Sequence, residues 1–351
     1  MSLNLKELIF SLSSLMSISG HESTESEALC SLVGEYFDEY TKDAVGNQLF
    51  VKRSAKPGAP NLLIDTHFDE IGMLVTDIKE NGFLSVTSVG GLDPAIMQAS
   101  EVRIYGKETL TGIIASTPPH LKTKEDAKKL KDIDELLIDT GYPKEELEKI
   151  VRIGTPVGFA PIYTEMCNGQ IVGKSFDNKA CAAAAIYGLC EVAKEDLAAN
   201  VYLLLSCHEE TVKIGGVAPA AFNLCPDYAV VIDVNLARVP DTKREETVVM
   251  GEGISVSISA ITDKKLTNSI MALCKENEIK YQRAAAPSST GTNTTCLGIV
   301  GRGIPVADIG LPLKNMHTYT EVIDLADAKT LADFVAALVR SENIAEVYKN
   351  D

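Results

Sequence analysis

Five histidines punctuate the 351-residue chain, and two of them, His67 and His317, stand among carboxylates in a way that suggests chemistry. His67-Phe68-Asp69 follows the run Leu62 to Thr66, which reads as a buried strand. Residues two apart in an extended chain share a side, so His67 can bind a metal ion while Asp69 orients its imidazole. Asp177 falls at a strand-to-helix junction, Glu209-Glu210 follow Val201 to Ser206, Asp233 follows Tyr228 to Ile232, and His317 lies in the loop after Ile304 to Ile309. Adjacent carboxylates at the mouth of a buried strand repel one another unless a cation or proton compensates. A strand end is also a poor place for an unpaired charge.

Singly, each residue has an ordinary explanation, such as a helix cap for Asp177. As a set they all fall just beyond a proposed strand, and open α/β sheets bind ligands at that carboxyl edge. Two imidazoles with three or more carboxylates, and no thiolate, suit zinc, cobalt or manganese in an open catalytic site. A bridging carboxylate can hold two such ions about 3.5–4 Å apart, leaving one carboxylate over as a general base. His120 reads as a loop residue, His21 as a turn residue, and His208 as pointing away from Glu209. Gly251-Glu252-Gly253 and Ser288 to Thr295 are expected to be loops lining the pocket; neither carries the Lys-Ser/Thr of a phosphate loop.

The elements that must position these residues change character along the chain. Leu5 to Leu15 has helical spacing, and a second helix is expected from Ser23 to Tyr40. From Ile71 to Val157 short strand-like runs dominate. Asn81-Gly82 between Ile71–Ile78 and Phe83–Val89 predicts a type I′ hairpin. The charged stretch Lys122 to Lys149 reads as exposed helix, with Pro143 opening its last part. From Gly173 strands alternate with helices, notably Lys179 to Lys194 and Asp324 to Val339, which argues for a largely parallel sheet. The expected architecture is therefore an α/β domain, residues 1–69 plus 168–351, interrupted by a β-rich insertion, 70–167.

Composition bounds the function. Forty-nine acidic against 33 basic residues leave a net charge of -16, whereas a nucleic-acid binder carries a basic footprint. No apolar run is long enough to span a membrane. The first twenty residues lack the pattern of a signal peptide. The eight cysteines are scattered without a Cys-x-x-Cys pair, which reads as reduced thiols in a cytoplasmic protein.

The order and spacing of the motifs resemble the M42 family of metallo-aminopeptidases, of the tetrahedral-particle type. The likeness runs through His67-Phe68-Asp69-Glu70-Ile71-Gly72, Gly90-Gly91-Leu92-Asp93-Pro94, Phe176-Asp177, Glu209-Glu210, Asp233-Val234, Gly291-Thr292, and Met316-His317 followed by Glu321-Val322. The resemblance implies two divalent ions, zinc or else cobalt or manganese, bridged by Asp177. His67 and Asp233 complete one site, and Glu210 and His317 the other. It implies Glu209 as general base, Asp69 as the residue orienting His67, and attack by a metal-bridging hydroxide on the first peptide bond. It further implies a mostly parallel mixed sheet flanked by helices, of dinuclear zinc exopeptidase type, with a β-barrel-like dimerisation insertion. Peptide substrates and assembly of dimers into a tetrahedral dodecamer follow from it too. Asn178-Lys179, Thr211-Val212, Asn235-Leu236 and Asn293 depart from the family pattern. They motivate a competing reading as a weakly active assembly or peptide-binding subunit. Glycoside hydrolysis also needs paired carboxylates, but it gives no reason for two histidines at that edge, and the chain has no Trp.

Overall fold

The computed structural model describes residues 3–121, 131–212 and 215–349. Its strands are β1 (Glu39–Lys42), β2 (Gln48–Lys52), β3 (Asn61–His67), β4 (Gly72–Ile78), β5 (Leu84–Val89), β6 (Glu101–Tyr105), β7 (Thr109–Ile114), β8 (Leu137–Asp139) and β9 (Pro156–Phe159), followed by β10 (Thr164–Glu165), β11 (Gln170–Gly173), β12 (Asn200–Ser206), β13 (Tyr228–Leu236), β14 (Ile254–Ser259), β15 (Tyr281–Ala286), β16 (Val306–Lys314) and β17 (Glu321–Asp324). The helices are α1 (Leu5–Ser14), α2 (Ser26–Val33), α3 (Pro94–Met97), α4 (Lys144–Ile150), α5 (Phe176–Glu191), α6 (Val217–Leu224), α7 (Lys264–Glu276), α8 (Thr294–Leu297), α9 (Leu325–Arg340) and α10 (Glu342–Tyr348).

The main sheet is mixed, in the order β1-β2-β12-β3-β13-β16-β17-β11-β10, with β14 joined to β16 and β15 to β14. Its centre, β12-β3-β13-β16, is parallel, and the flanks on either side are antiparallel. Strand alternation explains why both faces of the centre are apolar. Leu62, Ile64, Leu203, Leu205, Val230 and Ile232 pack into one core with α1, α5 and α9. The intervening Leu63, Leu204, Ala229 and Val231 meet α6 and α8 on the opposite face.

β4, β5, β8, β7, β6 and β9 close a separate barrel. It has its own core of residues such as Met73, Val86, Ile104, Ile138 and Val157. Closure removes the exposed strand edges that an open insertion would present.

Three local expectations are corrected. The helix expected to reach Tyr40 ends at Val33; a 3-10 turn, Gly34–Tyr36, leads into β1, which pairs with β2. In the stretch expected to be helical, residues 122–130 lie outside the described ones, and Leu137–Asp139 is the strand that closes the barrel between β5 and β7. Pro143 caps α4 from outside it. At the hairpin only Gly82 of the Asn-Gly pair takes a positive φ, 79°. Lys79 donates its N–H to the Phe83 carbonyl and accepts from Gly82, so the loop has three residues and a glycine bulge rather than a type I′ turn.

Candidate active site

β11 runs antiparallel to β17, and β17 antiparallel to β16, so β11 points the same way as the four central strands. The segments leaving β3, β11, β12, β13 and β16 therefore meet at one sheet edge, where the chain forms a cavity of about 740 Å³. His67, Asp177, Glu209, Glu210, Asp233 and His317 all line it. The sequence placed Asp233 just past its strand, but β13 continues to Leu236, so Asp233 projects from within a strand that outruns β3.

The contacts form one continuous set. Asp177 lies between the imidazoles, with Oδ1 3.1 Å from His67 Nε2 and Oδ2 3.5 Å from His317 Nε2. His67 Nε2 is also 3.5 Å from Asp233 Oδ1, and His317 Nε2 is 3.3 Å from Glu210 Oε2. Asp69 holds His67 mainly through its backbone carbonyl, 3.1 Å from Nδ1, with its carboxylate at 3.6 Å. That carboxylate accepts the backbone N–H groups of Glu209 and Glu210, each at 3.0 Å.

The loop after β12 is in fact anchored at four consecutive N–H groups. Cys207 donates to Asn47 Oδ1 and His208 to Glu22 Oε1, both at 3.0 Å, ahead of the two donations to Asp69. The side chain of His208 is half-buried, 3.7 Å from Glu22, in a loop position with φ 63°. Glu22, Cys207 and His208 form a second acidic, thiol and imidazole group, in which Glu22 Oε1 already accepts from Gly20 and His208.

Burial and crowding set the protonation of the cluster. Burial lifts the Glu209 carboxyl to about 8; His67 opposes this, while Asp233, Glu210 and Asp177 reinforce it. Burial likewise pushes Asp233 up to about 6 against the pull of His67. Hydrogen bonds to Asp177 and Glu210 raise His317 to about 11. Asp177 is buried, which alone would raise it, yet the bonds from His317 and His67 hold it far below the usual carboxylate range. Among the described residues lining the cavity there is no Lys or Arg. Ligand atoms of His67, Asp177 and Glu210 lie within 4.8 Å of one another. Buried acids with no Lys or Arg among them, gathered around two imidazoles, are a donor set that fits divalent metal.

Of the two loops expected at the pocket, Ser289 to Thr292 and Thr295 line it, while Gly251 and Gly253 do not; their N–H groups donate to the Asp327 carboxylate instead. The departures from the family pattern are mostly structural. Asn178 donates to Thr66 Oγ1 and to the Ile232 carbonyl, and Asn293 donates to Asp65 Oδ2 and Ser206 Oγ. Each is an amide where a carboxylate would have no proton to give. Thr211 bonds Ser19 and Asn235 bonds Ser255, whereas Val212 and Leu236 are exposed at the pocket wall. Glu321, to which no role was assigned from sequence, accepts the backbone N–H groups of both Asp177 and His317. Its only signal was its place in the motif after His317.

Known proteins share this arrangement of chain. The lysyl aminopeptidase of Pyrococcus furiosus is 28% identical over 330 residues, covering 92% of this chain and 93% of its own. An aminopeptidase of the archaeon Desulfurococcus kamchatkensis superposes with a TM-score of 0.90 at 26% identity, over 99% of this chain and 98% of that one. The TET1 peptidase of Pyrococcus horikoshii, described as assembling into a tetrahedron or a large octahedral shell, gives 0.85 at 25% identity over 96% and 99%. The model of the M42 glutamyl aminopeptidase family matches residues 46–334, and with that span the chain belongs to the M42 peptidase family.

Proposed function

We propose that this aminopeptidase works with two divalent ions, zinc or by ligand chemistry cobalt or manganese. Asp177 would lie between them, with His67 and Asp233 on one side and Glu210 and His317 on the other. The observation that carries the reading is the contact set itself: two imidazoles meet opposite oxygens of one carboxylate, each with a further carboxylate beside it. Bound there, the ions would acidify water and polarise the scissile carbonyl. Glu209, buried in the same cavity, takes up a proton and returns it to the departing amine. Asp69 fixes the Glu209–Glu210 backbone and orients His67. The acidic wall attracts a free α-amine, which restricts cutting to the first residue of a peptide.

A division into a catalytic part, 1–69 with 168–351, and an inserted part, 70–167, is supported by the barrel's having a core of its own; β10, within the second range, pairs with β11 of the main sheet. The inserted barrel is proposed as the surface for self-association into dimers and a larger shell, supported by the assembly described for the TET1 peptidase. Eight cysteines with no disulfide between them suit a reducing cytoplasm, and no helix among the described residues is long and apolar enough to cross a membrane.

Metal analysis together with an aminoacyl-chromophore assay tests the reading. Two ions per chain and turnover are expected. Absence of both would favour the weakly active assembly subunit.

A further inference from the structure

Glu321 opens β17 and is only 2% exposed. The β11–β17 register sets it opposite Gly173, the last residue of β11, and His317 lies four positions before it in the turn from β16. From there its two oxygens serve two different loops. Oε2 accepts the Asp177 N–H and Oε1 accepts the His317 N–H, both at 3.0 Å.

We propose that Glu321 is a positioning residue of the metal site, tying the loop that carries Asp177 to the loop that carries His317. The proposal rests on the metal-site reading above. The need for such a tie is visible in the backbone. Ser175, Asn315 and His317 take φ values of 55°, 58° and 61° although none is glycine, and such conformations persist only where their surroundings over-determine them. Regular pairing cannot do this, because β11 ends at Gly173 and β16 at Lys314. A carboxylate presents two acceptor oxygens and can hold two N–H groups at once; a side-chain amide presents one oxygen and a donor. Asp69 does the same for Glu209 and Glu210. Each half of the site is thus set by one buried acid that reaches backbone rather than the cavity's contents.

The test is Glu321→Gln, which keeps the volume but turns an NH₂ towards one of the two backbone donors. Zinc affinity, measured by competition with a chromogenic chelator, is expected to fall about 10–100-fold. The metal-free form is expected to melt lower, since one buried backbone N–H loses its acceptor; the rise in melting temperature on adding zinc should shrink as well, which a merely structural role would not cause, and kcat should fall more than KM rises. A variant that binds two zinc ions as tightly as the unaltered chain overturns the proposal, whatever its activity. An unaltered chain that binds no metal overturns the metal-site reading instead. If the variant does not fold, hydrogen exchange on the unaltered chain decides. The Asp177 and His317 amides are expected to be protected, and free exchange at both overturns the tie.

Discussion

Asp69 and Glu70 are neighbours in sequence and equally deep, yet they belong to two clusters with opposite charge logic. Glu70 lies 2.5 Å from Lys174 Nζ and 3.3 Å from Lys179 Nζ, and it accepts from the Ser175 hydroxyl and the Ser17 N–H. Burial would raise it, but the two ammonium groups hold it down at about 2. On the other side, Asp177, Glu209, Glu210 and Asp233 face two imidazoles and, among the described residues lining the cavity, no Lys or Arg. Burial lifts Glu209 to about 8 there. The same two elements, the end of β3 and the start of α5, feed both clusters. One is balanced from within the chain; the other is left short of positive charge, which is the condition for recruiting it from solution.

Mutations should separate the clusters. Glu209→Gln is expected to cut kcat about 10²–10⁴-fold with both metals retained, as read by the chromophore assay and metal analysis. Glu70→Gln leaves the buried Lys174 and Lys179 without their shared carboxylate and should cost about 3–5 kcal/mol, seen as a fall in denaturant midpoint with or without zinc. Zinc at 100 times its Kd should add about 2.7 kcal/mol of stability for each site filled. Glu70→Gln should keep that increment, and Asp177→Asn should lose it. Asp233→Asn in the metal-free protein should change stability by no more than about 1 kcal/mol, while zinc binding weakens. An equal loss of stability for Asp233→Asn and Glu70→Gln would erase the contrast.

The pH dependence differs in sign between the clusters. The Glu209 carboxyl is raised to about 8 in the folded chain, so the unfolded chain gives up this proton at lower pH and metal-free stability falls as pH climbs from the ordinary carboxylate range to 8. His317 is raised to about 11; its contribution is complete below the unfolded histidine pKa and is lost as pH rises through 11. Glu70, held at about 2, contributes above the unfolded carboxylate pKa and loses that contribution only as pH falls through 2. Metal-free melts between pH 5 and 8 should therefore slope downwards with pH. Zinc should flatten that slope, since the ions replace the protons.

Much of this was legible because the informative residues sit on strong local patterns. The apolar runs before His67, Glu209 and Asp233 are buried on both faces, so they stand out as central strands. What stayed hidden depends on distant chain. β1, Glu-Tyr-Thr-Lys, has no apolar alternation and exists by pairing with β2. β8 is three residues long and is defined by closing the barrel. Glu321 looks like any acid at the start of a strand until Asp177, 144 positions away, is folded against it.

The anchoring of Cys207 to Glu210 by Asn47, Glu22 and Asp69 bears on synthesis. Those donors and acceptors are separated by 140 to 186 positions, and His317 arrives later still. A ribosome-bound chain that has emerged only as far as Glu210 carries that scaffold but still lacks Asp233, His317 and Glu321, and a fragment clipped free of its first seventy residues keeps the reactive acids without the residues that aim them. Latency until completion is thereby written into the topology, and a peptide-cutting enzyme needs no separate inhibitor while it is being made.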